Sequence, residues 1–151
     1  MTGGSSDASG WPEWASFVQQ HGYLSWLDIE VDSLEDGRAV IVIERNEEFE
    51  NPIGTDGPDP VHGGIVATLI DTASAFALRS TFENPSEAHL TTTDLNVSYL
   101  RPATGDLRAE AEVLRAGGST GVTDVTVEGA DGEAAVGRTT YRLFRDGIDG
   151  T

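Results

Sequence analysis

The segment His62-Gly63-Gly64-Ile65-Val66-Ala67-Thr68-Leu69-Ile70-Asp71-Thr72-Ala73 sets one carboxylate on an apolar helix that opens with a glycine pair. Asp71 is the only ionisable side chain from Gly63 to Leu78, although 26 of the 151 residues are Asp or Glu. At helical spacing its stripe holds Gly64, Ala67, Thr68, Ala75 and Leu78, small or apolar throughout. A carboxylate so placed lies at an exposed edge, or in a cleft where desolvation and a partner tune it as a base. An Asp that caps a neighbouring loop is the plainer alternative. Gly63 and Gly64 permit close backbone approach, and the first N–H groups of a helix have no internal acceptors. With the positive end of the helix dipole they suit a carbonyl oxygen that gains negative charge. Ordinary turn chemistry at a loop-to-helix junction explains the glycines equally.

The other polar candidates are weaker alone. Thr92 shares a strand face with Asp94, Asn96 and Ser98, where its hydroxyl could hold a water or simply meet solvent. Asn51, ahead of Gly54, reads as a turn residue or a substrate ligand. His62 is expected to fix the loop at the helix start. The three histidines, His21, His62 and His89, lack metal-ligand spacing, so no metal is expected. No Gly-x-Ser-x-Gly elbow is present, and Gly117-Gly118 is too slight a signal for a phosphate loop.

Those residues need a frame. Pro12 to His21 reads as a short helix with Trp14, Phe17 and Val18 on one face. Trp26 to Asp32 alternates Leu27, Ile29 and Val31 with acids, the pattern of a half-buried strand. After the turn Glu35-Asp36-Gly37, Arg38 to Arg45 continues as its hairpin partner. Glu47 to Pro60 is an acidic Gly/Pro-rich loop leading into a helix from about Val61 to Thr81. Four strands follow: Ala88 to Leu100, Leu107 to Arg115, Gly121 to Glu128 and Ala134 to Phe144. The predicted fold is α+β, a curved antiparallel sheet wrapped around one long central helix. One domain spans 11–145, between a flexible leader (1–10) and a tail (146–151). An open sheet edge makes a homo-oligomer the expected state.

Composition narrows the class. With no cysteine, disulfide and thiolate chemistry are excluded. No apolar run approaches the roughly 20 residues of a membrane span, and the expected location is cytoplasmic. Net charge is −17, and all nine basic residues are arginine. That balance looks like adaptation to multimolar salt, where a Debye length of about 3 Å screens like-charge repulsion. It also disfavours nucleic acid, which needs a basic stripe.

Taken together, Asn51-x-x-Gly54, His62-Gly63-Gly64, Leu69-Ile70-Asp71, Asn96-Val97-Ser98-Tyr99-Leu100-Arg101-Pro102-Ala103 and Gly137-Arg138-Thr139-Thr140-Tyr141 resemble hotdog-fold acyl-CoA thioesterases of the phenylacetate (PaaI) type. The resemblance covers roughly Leu24 to Phe144. It implies hydrolysis of acyl-CoA with no cofactor beyond the CoA of the substrate. Asp71 matches the carboxylate that activates water or attacks. Gly63 N–H, helped by Asn51, would polarise the thioester carbonyl, and Thr92 would position the water. Substrate contacts are implied for His62, Gly64, Arg101, Pro102 and Gly117, with Arg115 and Arg79 as further phosphate candidates. Leu78, Phe76, Phe82 and Tyr99 are candidate acyl-pocket residues. In such proteins the groups meet across a subunit interface, in dimers or in tetramers built as pairs of dimers. Two features depart from the family. The Asn51–His62 connection is longer than usual, and Gly118 stands where relatives often carry a basic residue. A non-catalytic acyl-CoA binding module and a hotdog hydratase are the competing readings.

Overall fold

The structure, a computed structural model, describes residues 12–145; the predicted leader and tail lie outside the described residues. A 3₁₀ helix over Glu13–Gln19 precedes α1 (Gly22–Leu27), β1 (Glu30–Glu35) and β2 (Arg38–Ile43). Then come α2 (Gly63–Arg79), β3 (His89–Tyr99), β4 (Leu107–Ala116), β5 (Thr120–Gly129) and β6 (Gly132–Phe144). The six strands form one antiparallel sheet in the order β1-β2-β4-β5-β6-β3. The α2 helix lies across it as the long central helix of the expected hotdog architecture.

Helix and sheet meet through their apolar faces. Val66, Leu69, Ile70, Ala73, Phe76, Ala77 and Leu78 of α2 are buried, as are Ala109, Ala111, Val125, Val127, Ala135 and Leu143 of the sheet. Gly137 lets the two approach: a Cβ there would stand 2.9 Å from Cγ2 of Ile70. Leu78 is fully buried, so the exposed stripe around Asp71 ends before it. The 3₁₀ helix closes the open end of the core, with Trp14 and Phe17 ring centroids 6.1 and 5.3 Å from that of Phe76.

Two sequence expectations change. Trp26 and Leu27 belong to α1 and not to a strand. His21 caps that helix by accepting the Leu24 N–H, and Asp28 ends it in the left-handed region at φ 56°. Leu27 and Ile29 are both buried, so the apolar alternation survives a change of geometry beneath it. The second change concerns Thr92. A bulge between Thr92 and Asp94 breaks the period-two phase of β3. Thr92 pairs with Tyr141, while Leu95, Val97 and Tyr99 pair with Thr139, Gly137 and Ala135. Thr92 therefore faces the helix with these residues and not outward with Asp94, Asn96 and Ser98. On its other side β3 pairs with no strand among the described residues, and Leu95, Tyr99 and Leu100 stand exposed along that edge.

Candidate active site

Asp71 sits half-buried in the middle of α2, on the side of the helix that faces the open edge. Its Oδ1 accepts hydrogen bonds from the Thr92 hydroxyl at 2.8 Å and from the Tyr141 hydroxyl at 2.5 Å. Tyr141 also reaches the main-chain oxygen of Asp71, at 2.9 Å. The two donors come from paired positions on neighbouring strands, and the β3 bulge brings them side by side. Tyr141 is only 4% exposed. Burial first, then the facing Asp71 carboxylate, pushes its phenol well above the ordinary value, so it stays a proton donor throughout the neutral range. Sequence reasoning missed this residue as a site component. The available signal was a hydroxyl in the inward phase of β6, between Thr139 and Leu143.

The start of α2 supplies the second part. The His62 ring caps the helix, its Nδ1 accepting the Gly64 N–H at 2.9 Å. Ile65 N–H bonds to the His62 carbonyl at 2.9 Å. Among the described residues no acceptor meets the Gly63 N–H. Both glycines leave room for close neighbours. A Cβ on Gly64 would come within 3.0 Å of the His62 ring, and one on Gly63 within 3.3 Å of the Tyr99 hydroxyl. That hydroxyl donates to the Gly63 carbonyl at 2.6 Å. Asn51 stands beside this helix start despite the long connection. Glu50 and Val61 form a β-bridge, Asn51 N–H donates to Pro60 at 2.8 Å, and the intervening residues loop outward.

The sequence model of the family described as "Thioesterase superfamily" matches residues 60–136, the span that carries Gly63, Asp71 and Thr92. The chain belongs to the thioesterase superfamily. A provisionally named esterase of Halobacterium salinarum is 46% identical over 138 residues, 87% of this chain and 90% of that one. Human acyl-coenzyme A thioesterase 13 is 33% identical over 111 residues, covering 71% and 74% of the two chains. A solved thioesterase family protein from Silicibacter pomeroyi superimposes with a TM-score of 0.74 at 25% identity, over 86% of this chain and 97% of that one.

Within one thioesterase chain the predicted site residues fall into three groups. Asn51, His62, Gly63, Gly64, Arg101 and Pro102 gather at the start of α2, where Val61 N–H also bonds to Ala103. Asp71 and Thr92 lie at its middle, eight residues and about 12 Å along the axis from Gly63. Gly117 lies at the far end, its carbonyl accepting from Arg145, which also reaches Thr81. Within one chain the carboxylate and the free helix-start N–H thus stand too far apart to act on one carbonyl. Phe76 and Leu78 are fully buried in the core and Phe82 borders a small cleft with Phe144 and Arg145, whereas Tyr99 stays exposed beside Gly63. Arg79 is turned inward, donating to the Ala88 carbonyl at 3.1 Å and stacking on Phe17. Arg101 and Arg115 are exposed and, among the described residues, reach no carboxylate.

Proposed function

We propose that this chain hydrolyses acyl-CoA thioesters of the PaaI type, in a homo-oligomer whose active sites lie between subunits. The observation that carries the reading is the Asp71 carboxylate, held by two hydroxyls at the open sheet edge, away from its own chain's unpaired Gly63 N–H. Pairing of two β3 edges around a two-fold axis runs the central helices antiparallel. The partner subunit's Gly63 then approaches Asp71, and the partner's Asn51 comes with it. Asp71 takes a proton from water while the water oxygen bonds to the thioester carbon. The carbonyl electrons move onto oxygen, where the partner subunit's Gly63 N–H meets them. They return as the carbon–sulfur bond breaks, giving the free acid and CoA, whose leaving sulfur takes up the proton held by Asp71 and so restores the carboxylate. The Thr92 proton is committed to Asp71, so its oxygen is left to accept from the attacking water.

Arg101 and Arg115 are the remaining candidates for the CoA phosphates, with Pro102 and Gly117 beside them. The surface is strongly acidic, so concentrated salt favours this contact by screening the anionic substrate from the rest of the chain. That agrees with a cytoplasmic protein of a salt-loving cell. The test is CoA release from aryl and straight-chain acyl-CoAs in molar KCl, comparing the wild type with Asp71→Ala. Release by the wild type alone supports the reading. Turnover that survives the substitution removes Asp71 from the mechanism. A folded wild type that binds acyl-CoA without releasing CoA is a binding module instead.

A further inference from the structure

An aspartate side chain ends in a broad, nearly two-fold torsion, so a free carboxylate can present either oxygen to a reactant. Here the two oxygens are not equivalent. Oδ1 accepts from both Thr92 and Tyr141, while Oδ2 has no hydrogen-bond partner among the described residues. Tyr141 is the less mobile of the two donors. Its ring packs with Leu78, Phe82, Ala88 and Leu143, whereas Thr92 is exposed at the edge. Its hydroxyl spans Oδ1 and the main-chain oxygen of the same residue, tying the side chain to its own backbone. A half-turn of the carboxylate merely exchanges two identical oxygens, but any partial turn breaks the bonds to Tyr141 and Thr92 and rotates the second oxygen away from the cleft.

We propose that Tyr141 is the positioning residue of this site: with Thr92 it holds Oδ1 of Asp71 and reserves Oδ2 for the proton taken from water. The proposal rests on the reading of Asp71 as the base of a thioester hydrolase. Preorganisation of this kind acts on the chemical step and leaves ground-state binding of the acyl-CoA unchanged.

The experiment compares the wild type, Tyr141→Phe, Asp71→Asn and the double variant in steady-state CoA release, with near-UV circular dichroism as the check on folding. Phenylalanine keeps the ring and its packing. Thr92→Val removes the other donor to Oδ1 and serves as a second probe if Tyr141→Phe does not fold. The expected result is a fall in kcat of roughly ten- to a hundredfold for Tyr141→Phe, the rate equivalent of one hydrogen bond to a charged group. KM should stay within about twofold. In the Asp71→Asn background the same change should have no further effect, because there is no base left to aim. An unchanged kcat in Tyr141→Phe, or an equal loss in both backgrounds, overturns the positioning role while the thioesterase reading stands. Full turnover by Asp71→Asn, or no CoA release by the wild type, overturns that reading and this proposal with it.

Discussion

Replacing Thr123 by valine should destabilise the protein more than replacing Thr139, although both side chains are fully buried and their hydroxyls lie 2.6 Å apart. The asymmetry follows from where each proton goes. Ser74 donates to the Ile70 carbonyl at 2.8 Å, one helical turn back. Its single proton is then committed, so the 2.7 Å contact with Thr123 requires Thr123 to donate. By the same count Thr139 donates to Thr123. Thr123→Val therefore removes the acceptor of Thr139 and leaves a buried donor unpaired, which costs about 1–3 kcal/mol beyond the lost bonds. Thr139→Val strands no donor and should cost only about 0.5–1.5 kcal/mol. The double variant should be more stable than Thr123→Val alone, because the orphaned hydroxyl has gone. Urea unfolding in molar KCl at one fixed protein concentration is the assay, since assembly couples to stability. Each kcal/mol corresponds to about 2–4 °C in Tm for a chain of this size. A Thr139→Val variant that loses as much as Thr123→Val would refute the inferred direction of the chain. Ser74 lies three residues beyond Asp71, so these hydroxyls also set the helix rotation that aims the carboxylate at β3.

Three further outcomes are expected. The Tyr141 phenol is raised in the folded state, so its contribution is complete below its unfolded value, about pH 10, and is lost as pH rises toward the folded value. Above about pH 10 the wild type should lose about 1.4 kcal/mol per pH unit more than Tyr141→Phe, read by urea unfolding; parallel curves would contradict this. His62→Ala removes the acceptor for the Gly64 N–H and should cost about 0.5–2 kcal/mol, the usual range for a lost helix cap. A change below a few tenths in equilibrium unfolding would show that the ring caps nothing in solution. Finally, static light scattering should show the proposed homo-oligomer dissociating as KCl is diluted from molar to about 10 mM, where the Debye length grows to about 30 Å and chains of net charge −17 repel one another. An oligomer that persists unchanged at low salt would rule out charge screening as what holds it together.

The architecture was readable because its signals are long. The sheet strands alternate over many residues, and the apolar run after Gly63 is too extended to be anything but a packed helix. Local decisions were harder. The alternation of Leu27, Ile29 and Val31 reads as one strand from Trp26 to Asp32, yet its first two residues close the helix Gly22–Leu27. The decision lay with a histidine cap and a left-handed aspartate that no periodicity reveals. The site divides similarly. The isolation of Asp71 on an apolar helix was visible in composition alone. Its link to Thr92 came from the family resemblance and not from strand phase, because one bulged residue reverses the inward phase of β3 and turns an apparently outward hydroxyl toward the helix. Tyr141 was hidden for a related reason, since its partner is set by strand register seventy residues away.

The bridge between Glu50 and Val61 makes the connection they flank into a cassette. Because Asn51 and Pro60 are pinned together at its mouth, the segment's length is uncoupled from the place where Asn51 stands. Doubling such a loop adds only about 0.6 kcal/mol of closure entropy. This stretch of the gene can therefore gain or lose codons with little effect on the helix start, and it offers lineages room to build new surface beside the Arg101–Pro102 corner. Variation in substrate selectivity among relatives would then be sought first in loop length, with the glycine pair and the carboxylate left as they are.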